Sequence, residues 1–273
     1  MKKATWNNYL AKTWDLYLPP IRPYNEELDI FKQYIVEFIN NNKKLPNVLI
    51  LGSTPEFRDI LFEYNIIPTV IDFSKDNYEG MSLLINNKGI DKFIESNWLD
   101  VEKMLDETKF DFVFSEAAFN VLNKESAVKL YKIISNLLNK EGKLIAKEWI
   151  RFSNVRPNLN KIVKDYRSSN NSRGFYSHTC IPLMLLYYNF ENEIIKLSDF
   201  SREIEILNNI DVITNKEWET IEIHEYNNVE LELYIPKIQD FLNDMGKNFS
   251  LLNIHNIAKP NAQYHPIFVL EVK

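Results

Sequence analysis

The sequence predicts an α/β fold: a mostly parallel sheet with helices on both faces, closed by an antiparallel hairpin. Three observations predict it. From Val48 to Ile150, short apolar runs alternate with helical stretches, the pattern of strands joined by crossover helices. Those runs are apolar and β-branched throughout, which suits strands covered on both faces. Beyond Met245, two strand-like runs, "NFSLLNIHNI" and "YHPIFVLEVK", flank a Pro-Asn turn with no helix between them.

Residues 1–24 hold Trp6, Tyr9, Trp14 and Tyr17, then "LPPIRPY". A helix is expected from Asn25 as N-cap, with Glu26 and Glu27 in its first turn. Leu28, Phe31, Ile35 and Phe38 recur on one face before the "NNNKKLP" turn. Val48–Leu51 reads as the first strand and Glu56–Tyr64 as a helix. Thr69–Asp72 reads as the second strand, followed by an irregular helical segment through Ile85. "DKFIESNWLD" reads as a third strand ending near Trp98, Asp111–Phe114 as a fourth, Glu125–Leu138 as a helix and "GKLIAKEWI" as a fifth strand. After Arg151 the alternation stops. Residues 153–209 read as mainly helical, with "NLNKIVKDYR" and "IPLMLLYYNF" clearest, and "WETIEIHEY" as a strand or bent segment. A helix over Pro236–Met245 precedes the hairpin.

Forty-five percent hydrophobic and 26% charged residues fit a globular chain with a sizeable core. A net charge of −6 argues against a partner bound through a basic surface, so no nucleic acid is expected. Cys180 is the only cysteine, which leaves no internal disulfide and no cysteine-based zinc site, and no metal is expected. No window is long and apolar enough to span a bilayer. The N-terminus lacks the apolar core of a signal peptide, and these features together predict a cytoplasmic protein.

Ligands of open α/β sheets bind at the carboxyl ends of the strands. Gly52 lies at that end of the first strand, and Asp72 ends the second, twenty residues later. That is the spacing of a carboxylate that accepts hydrogen bonds from ribose hydroxyls. Pyrophosphate-binding turns carry further glycines, whereas this turn has Thr54 and Glu56, and no Walker lysine follows. NAD, FAD and nucleoside triphosphates are therefore disfavoured. A ligand with adenosine, an amino-acid tail and a positive sulfonium fits better. "STPE" is also an S-x-x-E capping box, which any strand-to-helix turn could use.

Together, "LGSTPEFRD", "VIDFS", "NWLD" and "FDFVFSEAAFNVL" resemble the class I S-adenosylmethionine-dependent methyltransferases, above all a subgroup with an LG-x-TPE first motif. The resemblance covers Leu45–Arg151 and the last thirty or so residues. It implies a Rossmann-like, doubly wound, seven-stranded sheet. Residues 1–44 would then be a lid segment, 45–152 the cofactor-binding core, 153–235 a helical substrate cap and 236–273 the last helix and hairpin. It places Gly52 and Ser53 at the methionine moiety, with Thr54 and Glu56 where the family's later glycines stand. Asp72 would hold the ribose, Phe73 and Ser74 would lie beside the adenine, and Trp98, Leu99 and Asp100 would meet its edge and face. Glu116, Ala117 and Phe119 would border the point of methyl transfer.

For proton handling the sequence offers His178, for its near-neutral pKa, and Glu116 and Glu148 at strand ends. Arg22, Arg151 and Tyr176 are candidates for the substrate. Asp100 could equally cap a helix, and Arg22 and Arg151 could sit in ordinary ion pairs. The expected activity is methyl transfer to a small-molecule acceptor. The alternatives are a non-catalytic or regulatory protein on the same fold and a protein or peptide methyltransferase, with nucleotide-dependent oxidoreduction a distant fourth.

Overall fold

The computed structural model describes residues 18–87, 89–105, 107–169, 174–222 and 231–273. Trp6, Tyr9, Trp14 and Tyr17 lie outside them. The protein is built on one seven-stranded sheet. Helix α1 (Asn25–Asn42) leads into β1 (Val48–Leu51), α2 (Pro55–Glu63), β2 (Thr69–Asp72), α3 (Lys75–Ser82) and β3 (Lys92–Glu95). A 3₁₀ turn, Trp98–Met104, then precedes β4 (Phe110–Glu116), α4 (Lys124–Leu137) and β5 (Leu138–Lys147).

An insertion follows, made of α5 (Leu159–Ser168), α6 (Phe175–Tyr187), β6 (Ile195–Lys196), α7 (Leu197–Asn209), α8 (Asn215–Glu222) and β7 (Glu232–Leu233). Helix α9 (Ile238–Met245) returns to the sheet, which β8 (Phe249–His255) and β9 (Ile267–Val272) complete. The order is β3-β2-β1-β4-β5-β9-β8. The first five strands are parallel, and β9 runs antiparallel to both β5 and β8. This is the doubly wound, mostly parallel sheet with a closing hairpin that the sequence predicts.

The two-residue period of a strand divides the core. Val48, Ile50, Phe112, Phe114 and Ile145 face α1 and α2, meeting Phe31, Ile35 and Phe57. Leu49, Leu51, Val113 and Leu144 face the other way, onto Leu130 and Ile134 of α4 and Phe241 of α9. Each fully buried Leu, Ile or Phe contributes roughly 1.5–3 kcal/mol relative to exposure. A third cluster, including Phe175, Leu183, Tyr188, Phe200 and Ile204, packs the insertion around its own centre. Among the described residues no helix is long and apolar enough to cross a membrane.

Several boundaries differ from the sequence reading, each for a local reason. Tyr24, not Asn25, is the N-cap of α1, because Glu27 reaches back to accept the Tyr24 N–H at 2.8 Å. Strand β3 stops at Glu95 rather than near Trp98, since Asn97 caps the 3₁₀ turn by accepting the Leu99 N–H. "WETIE" is helical, not a strand. Thr214 and Glu217 form a reciprocal capping box that starts α8, and residues 223–230 lie outside the description. Strand β5 begins earlier, at Leu138, and ends at Lys147. There Glu148 and Ile150 turn their N–H groups to Pro266 and Tyr264.

Candidate functional site

The carboxyl ends of β1, β2, β4 and β5 form one edge, and most of the predicted residues meet there. At β1 the chain leaves the strand through Gly52, whose φ of +88° is the left-handed region that favours glycine. A β-carbon on Gly52 would sit 3.7 Å from the Trp98 ring, so the indole packs directly over the turn. Trp98 is fixed by its Nε1–H, which donates to the Ile71 carbonyl at 2.9 Å.

The S-x-x-E capping box predicted at Ser53 does not form. Thr54 is the N-cap of α2 and makes no side-chain cap bond. Ser53 Oγ instead donates to Asp72 Oδ2 at 2.7 Å, and Arg22 takes Glu56 through Nε at 2.9 Å and Nη2 at 2.8 Å. A buried carboxylate gains more from a donor than a half-exposed helix N–H gains from an acceptor, which explains the choice.

Asp72 Oδ1 accepts from the Ser74 N–H at 3.1 Å and, at longer range, from Asn77 Nδ2. Burial pushes the Asp72 carboxyl up, and the bonds from Ser53, Ser74 and Asn77 pull it back. Phe73 follows with an exposed ring. Leu99 is half-buried against the core, and Asp100 stands in solvent, paired with Lys103 at 2.5 Å.

At β4 and β5 the strand period decides which face each side chain takes. Glu116 and Lys147, cross-strand neighbours, continue the face that meets α1. Lys147 Nζ is buried between Glu27 Oε2 at 3.0 Å and Glu116 Oε1 at 3.1 Å, and it also donates to the carbonyls of Pro20 and Arg22. Burial acts to lower Lys147, but the Glu27 and Glu116 carboxylates outweigh it and raise the ammonium. Burial pushes Glu116 to about 8 despite Lys147, with the charges of Glu56 and Glu27 adding to the push.

Glu27 Oε1 also meets His265 Nδ1 at 3.0 Å. Burial holds His265 low, and its ring lies nearly parallel to that of Tyr24. Ser115 and Glu148 face the opposite side, toward α4. Ser115 Oγ donates to Glu148 Oε1 at 2.6 Å, and burial raises Glu148 to about 8. Ala117, past the end of β4, takes a left-handed φ of 52° and donates its N–H to the Lys147 carbonyl. Phe119 is buried against Tyr131.

The other predicted residues stand elsewhere. His178 lies within α6, its ring edge-on to Tyr166, and its carbonyl accepts from Asn261. Tyr176 is buried in the insertion beside Phe200. The Arg151 guanidinium donates to the Ile235 carbonyl at 2.9 Å, to Asn154 and to Glu193 at 2.8 Å. It thus anchors the insertion.

Glu27, Lys147, His265 and Asn120 were missed. Asn120 ties the loop after β4 to both neighbours: Nδ2 donates to the Trp149 and Tyr234 carbonyls, and Oδ1 accepts the Trp149 N–H. A lysine inside the apolar run "KLIAKEWI" was the one visible signal. Among the described residues no group of three or more His, Cys, Asp or Glu is arranged to hold a metal ion.

No family model matches the chain, and no curated protein matches it by sequence. Solved structures do match by shape. The CcbJ methyltransferase from Streptomyces caelestis aligns with a TM-score of 0.60 at 10% identity, over 100% of this chain and 99% of that one. A protein described as a zinc-dependent alcohol dehydrogenase from Rhodobacter sphaeroides gives 0.59 at 14% identity, over 96% and 98%. The PH0226 protein from Pyrococcus horikoshii OT3 gives 0.54 at 12%, over 95% and 98%. At such identities the likeness shows a shared fold alone, and the names attached to it differ.

Proposed function

We propose that the protein is an S-adenosylmethionine-dependent methyltransferase acting on a small-molecule acceptor. The observation that carries this reading is the pairing of a single-glycine turn with the Ser53–Asp72 contact. Asp72 ends β2 with a carboxylate fixed by Ser53, the acceptor type suited to a ribose hydroxyl. The turn beside it presents Glu56 rather than the close backbone approach that a pyrophosphate needs. The start of α2 has no side-chain cap, so its backbone N–H groups can face the carboxylate of an amino-acid tail. Trp98 over Gly52 and the exposed Phe73 supply apolar surface for an adenine. The residues present therefore fit the cofactor.

When bound, S-adenosylmethionine supplies a methyl group already activated on a positive sulfur. The chain's own work is placement. Asp72 orients the ribose, and Glu116 and Glu148, at the ends of adjacent strands, flank the acceptor. Holding reactants in line can lower a barrier by roughly 7–11 kcal/mol. Residues 153–235 cover the acceptor in this reading, and Lys147 secures Pro20 and Arg22 at the rim.

Calorimetry with S-adenosylmethionine and S-adenosylhomocysteine on the wild type and Asp72→Ala tests the assignment. Binding of both ligands to the wild type, lost or severely weakened in the variant, is expected. No binding of either to the wild type would remove the cofactor from the account.

A further inference from the structure

Glu148 differs from the other glutamates at the site. Glu27 is held by Lys147 and His265, Glu56 by Arg22 and Glu116 by Lys147. Glu148 has no basic partner among the described residues. Its side chain is completely buried. Ser115 donates to Oε1, and the backbone N–H groups of Phe119 and Asn120 stabilise its charged form. Oε2 has no hydrogen-bond partner among the described residues. Protonation does not repair this, since an O–H on Oε2 would lack an acceptor. Buried polar atoms are rarely left so, and each exception calls for an explanation.

Its position supplies one. Glu148 follows the last residue of β5, next to the Ala117–Asn120 loop that borders the acceptor under the methyltransferase reading. Tyr131 of α4 stands near it, its hydroxyl pushed up by burial.

We propose that Glu148 Oε2 is the recognition point for the acceptor, and that the acceptor is an amine bound as its ammonium through a charge-assisted hydrogen bond. The placement of the acceptor rests on the methyltransferase reading; the affinity of the buried carboxyl for a cation does not. A buried acid without a counter-charge selects a ligand that brings one. An ammonium brings both the missing charge and the missing donor, whereas a hydroxyl brings only a donor. A carboxylate or phosphate brings neither the charge nor the donor. Binding releases the carboxyl's own proton to solvent, leaving carboxylate paired with ammonium; at the transfer step an N–H bond breaks, the proton passes to Oε2 to form an O–H bond, and nitrogen uses the freed electron pair to take the methyl group.

Infrared difference spectra of the wild type and Glu148→Gln test the proposal with methylamine and benzylamine, against methanol and benzyl alcohol. Amines should remove a protonated-carboxyl band from the wild type and not from the variant, while the alcohols leave it in place. Loss of the band with alcohols, or no change with either amine, would overturn the proposal. In turnover, Glu148→Gln should raise KM for the amine by about tenfold or more, with cofactor affinity held within about twofold. An unchanged KM would also overturn it. Failure of the cofactor to bind would remove the methyltransferase reading, and the infrared measurement would still judge Glu148. Should Glu148→Gln fail to fold, Ser115→Ala keeps the carboxyl and removes its hydroxyl donor. It should raise the carboxyl's titration midpoint and weaken amine binding; no change in either would count against the proposal.

Discussion

Ser53 Oγ and Asp72 Oδ2 are joined at 2.7 Å, so the turn after β1 and the end of β2 are held as one unit. Removing the hydroxyl in Ser53→Ala takes a charge-assisted bond from a buried carboxylate. A loss of about 1.5–3 kcal/mol of stability is expected, with the Asp72 carboxyl driven further up. Chemical denaturation gives the first quantity and calorimetry with S-adenosylmethionine its effect on affinity, which should fall. Unchanged stability would mean that the bond does not hold the turn.

Lys147 bridges two buried carboxyls, Glu27 and Glu116, at once. Lys147→Met should cost about 3–5 kcal/mol, because removing one partner of a buried ionic group strands the others. Restoring neutrality in Lys147→Met/Glu27→Gln should recover part of that loss. Urea unfolding of the wild type, the single and the double variant measures both. A single variant as stable as the wild type would show that the cluster contributes nothing.

Glu148 sets a pH dependence. Its carboxyl titrates near 8 in the folded chain, against an ordinary value of 4.5. Between those values the folded state holds a proton that the unfolded state has released, so stability falls as pH rises. The group has no effect below about 4.5, and the loss levels off above about 8. Glu148→Gln should flatten that slope and gain most, relative to wild type, at pH 8. Melting temperatures measured across this range provide the check, and parallel curves for the two proteins would contradict it.

Asn120 satisfies three buried backbone groups through one amide. Asn120→Ala leaves all three without a partner, and a loss of more than about 3 kcal/mol is expected at roughly 1–3 kcal/mol for each. Hydrogen exchange should localise the loosening to the loop after β4 and to residues 149 and 234. A loss spread evenly through the sheet would argue against a local tie.

The sheet was legible because its strands announce themselves locally. Val48–Leu51 is a four-residue apolar run and Thr69–Asp72 centres on Val70 and Ile71, and the predicted bounds of both coincide with those observed. The site was legible where it rests on strand ends, at Gly52, Asp72 and Glu116. It was illegible where partners lie far apart along the chain. Glu27 read as an ordinary first-turn acid because its partner His265 stands 238 residues away. The Ser53–Glu56 spacing suggested a cap because a local pattern cannot show that Asp72 competes for the same hydroxyl. Near-neutral pKa and a place in the segment expected to cover the substrate singled out His178, which packs inside the insertion; neither signal reveals His265, which meets Glu27 beside Lys147.

Strand β9 comes last among the strands in the sequence yet lies inside the sheet, between β5 and β8. On a ribosome, β5 is made long before its neighbour and must wait with one edge bare while residues 148–266 emerge. Bare strand edges invite pairing with other chains, so the nascent protein is vulnerable until β9 has emerged. Losing β9 would open the middle of the sheet rather than trim its rim.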